Sequence, residues 1–190
     1  RSRERLLEVR EGRERPARDD KAVCAWNALS IRALAEAGAV LAEPRYLEAA
    51  RRAAGFLLDH LRDADGRLLR AWRDGRASGP GFADDYAATA AAFLALHQAT
   101  GDPDWYRRAV EVTDGLVDLF WDDEDGGVFA TGRDAEALIT RPKNHFDNPT
   151  PSEQSLAAEV FATLASATGE GAHLDRVEAI ARGAGTAIAR

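Results

Sequence analysis

Glu43-Pro44-Arg45-Tyr46 and, 59 positions later, Asp102-Pro103-Asp104-Trp105 are two versions of one interruption: an acidic residue, a proline, a charged residue and an aromatic ring. Proline lacks a backbone donor, so each motif ends the helix before it. Before the first interruption Trp26, Leu29, Ala33, Leu34, Ala37, Val40 and Leu41 recur at spacings of three and four, one face of a helix starting near Asp20. After it Leu47, Ala50, Ala54, Leu57, Leu58 and Leu61 form a second apolar stripe. Tyr86, Ala90, Phe93, Leu94 and His97 flank the second interruption on one side; Tyr106, Ala109, Val110, Thr113, Leu116, Val117 and Phe120 follow on the other.

What comes between repeats as well. Asp65-Gly66 is a turn signal followed by the extended segment Arg67 to Trp72; Asp74-Gly75 turns the chain, and Ser78-Gly79-Pro80-Gly81 reads as a loop. Asp125-Gly126-Gly127 and Val128-Phe129-Ala130 repeat the turn and the extended segment. A longer loop, Arg133 to Pro151, leads to a third pass, with helices over Ser152 to Thr168 and His173 to Ala189 around Gly169-Glu170-Gly171. The unit is helix, tight break, helix, short strand or hairpin, loop, with a period near 60 to 68 residues. The expected fold is all-α: a partial (α/α)6 toroid of three helical hairpins with short β-hairpins between them. A tetratricopeptide solenoid has a shorter unit with neither strand nor long loop. A closed toroid needs about six hairpins, so residues 1–190 are expected to be a fragment or an open arc, with a stub before Asp20.

Composition bounds the function. The 190 residues carry 25 Lys and Arg against 32 Asp and Glu, a net charge of −7, which disfavours nucleic acid or an anionic membrane as partner. Only Lys21 and Lys143 are lysines, and alanine is abundant; a GC-rich genome accounts for both, and alanine favours helices. A single cysteine, Cys24, excludes an internal disulfide framework and is expected to be a small core residue. No metal or cofactor is expected. No apolar run approaches a membrane span and no signal peptide is visible, so a cytoplasmic location is the expectation.

Three motifs carry a resemblance. Asp20-Lys21-Ala22-Val23-Cys24-Ala25-Trp26-Asn27-Ala28-Leu29, Gly81-Phe82-Ala83-Asp84-Asp85-Tyr86-Ala87, and Arg141-Pro142-Lys143 followed by Asp147-Asn148-Pro149-Thr150-Pro151-Ser152 stand in this order. Together they resemble the C-terminal toroid of the YyaL-like thioredoxin-domain proteins, relatives of the spermatogenesis-associated thioredoxin-like protein. The resemblance implies a six-hairpin glycosidase-type toroid, preceded in the family by a thioredoxin-like domain that this sequence lacks. That domain is therefore an implied partner. Ala28 stands where the family usually has glycine, and Glu153-Gln154 where it usually has Gly-Asn.

In such a toroid the starts of the inner helices surround the cavity mouth. Helix N-termini present free N–H groups and positive dipole ends to polar ligands. The candidate catalytic residues are Asp84, Asp85, Glu153 and His145; the candidate substrate-binding residues are Trp26, Asn27, Trp72, Tyr86, Phe146 and Ser152. Aromatic faces beside carboxylates and amides suit a carbohydrate. Paired carboxylates can cleave a glycosidic bond, and imidazole can move a proton near neutral pH. Asp84 and Asp85 equally suit helix capping, one as cap and the other entering the cavity. His60, His97 and His173 lie in helical stripes and read as packing residues. Arg70, Arg141 and Lys143 read as surface ion-pair partners or as anion holders, and Asp122 to Gly126 as a turn rather than a calcium loop. Three functions stay open: a sugar-converting enzyme of the epimerase or glycosidase type, a module binding a carbohydrate or other polar small molecule, and a helical scaffold for the thioredoxin-like domain. Self-association through the open ends of the arc, Leu29 to Leu41 and Val177 to Ile188, is expected.

Overall fold

The computed structural model describes residues 1–136 and 139–188, the side chains of 186–188 excepted. Ala189, where the sequence reading ended the last helix, lies outside the described residues. The elements are α1 (Ser2–Glu11), β1 (Ala22–Val23), α2 (Cys24–Val40), α3 (Pro44–His60), β2 (Leu69–Arg73), β3 (Arg76–Pro80), α4 (Ala83–Thr100), α5 (Pro103–Phe120), α6 (Glu153–Thr168) and α7 (Gly171–Ile188).

The two prolines do more than stop a helix. Pro44 and Pro103 occupy the first turn of α3 and α5, where a missing N–H costs nothing and the fixed φ suits helix entry. Just before each entry the chain passes through the left-handed region. Gly101 (φ 69°) and Gly169 (φ 74°) do this after α4 and α6. At the same place in the first hairpin the residue is Ala42, with φ 52°, and the Glu43 N–H reaches back to the Gly38 carbonyl.

Three helical hairpins result. α2 packs on α3, α4 on α5 and α6 on α7; laterally α4 lies between α2 and α6. This makes α2, α4 and α6 an inner row and α3, α5 and α7 an outer one. The alanine bias follows from the geometry. α4 is flanked on both sides and backed by α5, and 13 of its 18 residues are buried, most of them alanine. Small side chains let three neighbours approach at once. At Gly38 of α2 a Cβ would stand 2.8 Å from the Leu47 Cγ, so that hairpin closes on a bare backbone. Phe93, Phe120 and Phe161 fill the seams between rows.

β1, β2 and β3 form an antiparallel sheet in that order, pairing Val23 with Ala71 and Ala71 with Ser78. Asp74 and Gly75 both have positive φ, as a two-residue hairpin turn of the primed type requires. Four details differ from the sequence reading. The first hairpin's inner helix does not start near Asp20: Ala22 and Val23 pair with β2 as β1, and α2 begins at Cys24. The segment Ser78 to Pro80 is the end of an edge strand rather than loop, with Pro80 opposite Leu69. The second hairpin is reduced to one bridge, Trp121 with Val128, the counterpart of Arg62 with Leu68. Its extended segment pairs elsewhere: the Ala130 carbonyl accepts from the Ala83 N–H, and the Ala130 N–H donates to the Pro142 carbonyl. Finally, the stub contains α1, which buries none of its residues.

Candidate functional site

The inner helices begin at a shared seam, and Asp85 ties it together. Its Oδ1 accepts the Ala25 N–H in the first turn of α2 at 2.8 Å, and its Oδ2 accepts the Phe82 N–H at the start of α4 at 2.9 Å. One carboxylate thus satisfies orphan donors of two helix N-termini. Arg70 on β2 adds a third partner: its Nη1 lies 2.9 Å from Asp85 Oδ2 and 2.7 and 2.9 Å from the two oxygens of Asp84. Asp85 is fully buried, whereas the Asp84 side chain is 32% exposed. Burial pushes the Asp85 carboxyl up to about 6 and the charge of Asp84 adds to this, while Arg70 and the Phe82 N–H pull the other way. Of the two aspartates Asp85 is the cap, and Asp84 is the one that meets solvent.

Aromatic surface surrounds this point. Trp26, next to Ala25, is 63% exposed, and Phe82, with the Arg70 guanidinium 5.0 Å over its ring, is 40% exposed. Asn27 donates from Nδ2 to the Val23 carbonyl and steadies the first turn of α2. Cys24 is buried beneath, 3.7 Å from the Thr89 hydroxyl; burial, with the Asp85 charge adding, pushes its thiol far above the usual range.

A second cluster lies at the entrance of α6. Ser152 caps that helix through Ser155, and Asp147 accepts from the Ser152 N–H and the Ser155 hydroxyl. Glu153 is buried and accepts the Asn144 N–H at 2.9 Å. Gln154 clamps the Val128 backbone on both sides, accepting its N–H at 3.2 Å and donating to its carbonyl at 2.5 Å. Gly127 leaves room for that amide: a Cβ there would stand 2.9 Å from Gln154 Oε1. Lys143 reaches Asp122 and the Gly126 carbonyl, and Arg141 binds the carbonyls of Leu119 and Thr131. The loop is thereby pinned, with Phe146 61% exposed upon it. The hydrogen bonds from Ala83 to Ala130 and from Ala130 to Pro142 connect the two clusters.

The remaining candidates are buried or partly buried. The Tyr86 ring is buried against Phe120 and Gly115, and its hydroxyl accepts the Leu68 N–H. Trp72 packs edge-on against Phe56, 5.4 Å away on the outer helix α3. His145 leans on Gly183 of α7, its Nδ1 buried with no hydrogen-bond partner among the described residues. Among the described residues no group of three or more His, Cys, Asp or Glu is placed to hold a metal, and no helix is long and apolar enough to cross a membrane.

The sequence did not single out Phe82 and Gln154, and it offered Arg70 as a surface ion-pair partner or an anion holder without naming its partners, Asp84 and Asp85. Phe82 lies inside the Gly81-Phe82-Ala83-Asp84-Asp85 motif, which was the available signal. Gln154 carried only the signal of a departure from the family pattern. Arg70 carried none beyond its place in an extended segment, because its partners lie 14 and 15 residues further along the chain.

The arrangement defines a class by its fold: a partial α/α toroid. Its solved structural neighbours include cellobiose 2-epimerase from Spirochaeta thermophila (TM-score 0.68, 24% identity, 84% of this chain and 42% of that one). A family 76 α-mannanase from Bacteroides thetaiotaomicron (0.71, 17%, 86% and 44%) and a D-mannose isomerase (0.71, 17%, 85% and 40%) share the fold. No family model matches the chain. In sequence it is similar to spermatogenesis-associated protein 20: 34% identical to the human protein over 183 residues, 91% of this chain, and 32% to the mouse protein. The chain spans about a quarter of the length of these relatives, 23% of each. The resemblance carried by the three motifs is borne out at this level.

Proposed function

We propose that this chain supplies part of the wall of a carbohydrate-binding toroid, with its ligand-facing surface at the seam of α2 and α4. The observation that carries the reading is the juxtaposition of two exposed aromatic faces, Trp26 and Phe82, with the partly exposed Arg70–Asp84 pair. Aromatic faces take the apolar side of a sugar ring, and a fixed donor beside a fixed acceptor takes its hydroxyl groups. The sugar-acting names of the structural neighbours lend fold-level support only. Binding rather than turnover is the expectation for this chain alone. Asp85 and Glu153 are both engaged by backbone N–H groups, and a catalytic pair would need groups brought into register from elsewhere.

The same engagement of Asp85 and Glu153 favours a second reading, a helical scaffold serving a thioredoxin-like domain of the longer relatives. Titration with D-mannose and cellobiose, followed by tryptophan fluorescence and by NMR, separates the two. The binding reading expects saturable shifts that Trp26→Ala abolishes while leaving thermal stability intact. Absence of saturation with either sugar would leave the scaffold.

A further inference from the structure

The concave side of the arc carries one polar feature that the seam does not use. Arg32 on α2 reaches Glu159 on α6 through both terminal nitrogens, at 2.6 and 2.5 Å, across 127 residues of chain. Its Nε bonds Glu36 at 2.7 Å, so the guanidinium is held on two edges. The bridge must pass over α4, which separates α2 from α6, and the outer side of α4 is occupied by α5. It therefore crosses the inner side, over Ala91, Leu94 and Ala95, which line a small pocket with Arg32 and Glu159. Alanine at 91 and 95 leaves the room for the two long side chains to meet.

The spacing connects this bridge to the proposed site. Arg32 lies six residues beyond Trp26, Ala91 six beyond Asp85 and Glu159 six beyond Glu153. At about 1.5 Å per residue the bridge forms one layer roughly 9 Å below the seam. It joins the first inner helix to the third, and so the Trp26–Asp84 cluster to the helix that carries Glu153 and anchors the Phe146 loop.

We infer that Arg32 is a positioning residue: its bidentate pair with Glu159 fixes the opening between the α2–α4 seam and the entrance of α6. The pair is partly exposed, with side chains 27% and 48% accessible, so a fold that survives its loss is expected. The geometry changes instead, because nothing else described on that face reaches from α2 to α6 by a charged contact. As far as the ligand is concerned the inference rests on the carbohydrate reading; as far as helix placement is concerned it does not.

The test uses two readouts on the 190-residue chain. Spin labels at Ala33→Cys on α2 and Ala162→Cys on α6 report the span; both sites are exposed, and native Cys24 is buried. Arg32→Ala should lengthen and broaden the distance distribution and weaken D-mannose or cellobiose binding by about three- to tenfold. The reversed pair Arg32→Glu with Glu159→Arg should restore both, and Arg32→Lys, which loses the fork, should restore them in part. An unchanged distance in Arg32→Ala, or a reversed pair that stays wide, overturns the inference. If the unmutated chain binds neither sugar, the carbohydrate reading falls, and the distances alone decide whether Arg32 sets the opening.

Discussion

Replacing Asp85 by asparagine preserves shape and removes one acceptor. The two oxygens of the aspartate face three donors: the Ala25 N–H, the Phe82 N–H and Arg70 Nη1. Whichever way the new amide is turned, its NH₂ group confronts a buried N–H. Leaving one such donor unpaired costs about 1–3 kcal/mol, and the charge-assisted bond from Arg70 is weakened besides. Relief from burying a carboxylate opposes this, so a loss of about 2 kcal/mol is expected near pH 7.5, or roughly 4–8 °C in Tm for a chain of this size.

The pH dependence sharpens the test. With its native pKa raised from 3.8 to about 6, Asp85 holds more protons folded than unfolded between those values. Its contribution is greatest below about pH 4 and is lost as pH rises through 6. The stability difference between wild type and Asp85→Asn therefore grows on acidification: a protonated carboxyl still accepts on both oxygens, and the asparagine amide does not. Lowering the pH from 7.5 to 5 should widen that difference by about 1.4 kcal/mol. Urea unfolding followed by far-UV circular dichroism at the two pH values measures it. A variant as stable as wild type at both values, or a gap that narrows on acidification, would refute the reasoning.

Ala42→Gly should stabilise the chain by about 0.5–1 kcal/mol, since the left-handed position after α2 is filled by glycine after α4 and α6; a lower unfolding midpoint would count against it. Gly81→Ala should destabilise by about 2 kcal/mol or more, because the new Cβ would stand 2.8 Å from the Leu68 carbonyl oxygen; thermal melts decide this. Gln154→Ala releases both polar groups of Val128 and should cost about 2–4 kcal/mol, with hydrogen exchange at the Val128 amide rising well above wild type.

The hairpin repeat was legible because its punctuation is local chemistry: proline at helix entries, glycine at exits, and Asp-Gly in turns. α1 was not legible, because its charged sequence has no stripe that buries anything. β3 was missed because Gly79-Pro80 carries the composition of a loop, and only the pairing with β2 makes it an edge strand. At the site the residue types could be read but not their commitments. Asp84 and Asp85 were visible as cap and cavity candidates, but the bond that decides between them comes from Ala25, 60 residues earlier. Glu153 read as a candidate catalytic carboxylate, and only the fold shows the Asn144 N–H that it accepts. Trp72 and Tyr86 had the chemistry of sugar platforms, but the outer helices claim their rings. These are tertiary facts, and no local pattern encodes them.

Cys24 sits under the seam with no exposed surface, and the chain contains no methionine. It is thus the sole sulfur atom, sealed behind the Ala25–Asp85 contact. A thiol reagent can reach it only when α2 lifts from α4, so its alkylation rate is a clock for that opening. At fixed pH and reagent concentration, changes in that rate will track changes in the free energy of opening. Any molecule that settles across the seam should slow the clock, whatever its chemical identity, so the buried atom serves as a label-free screen for binding there.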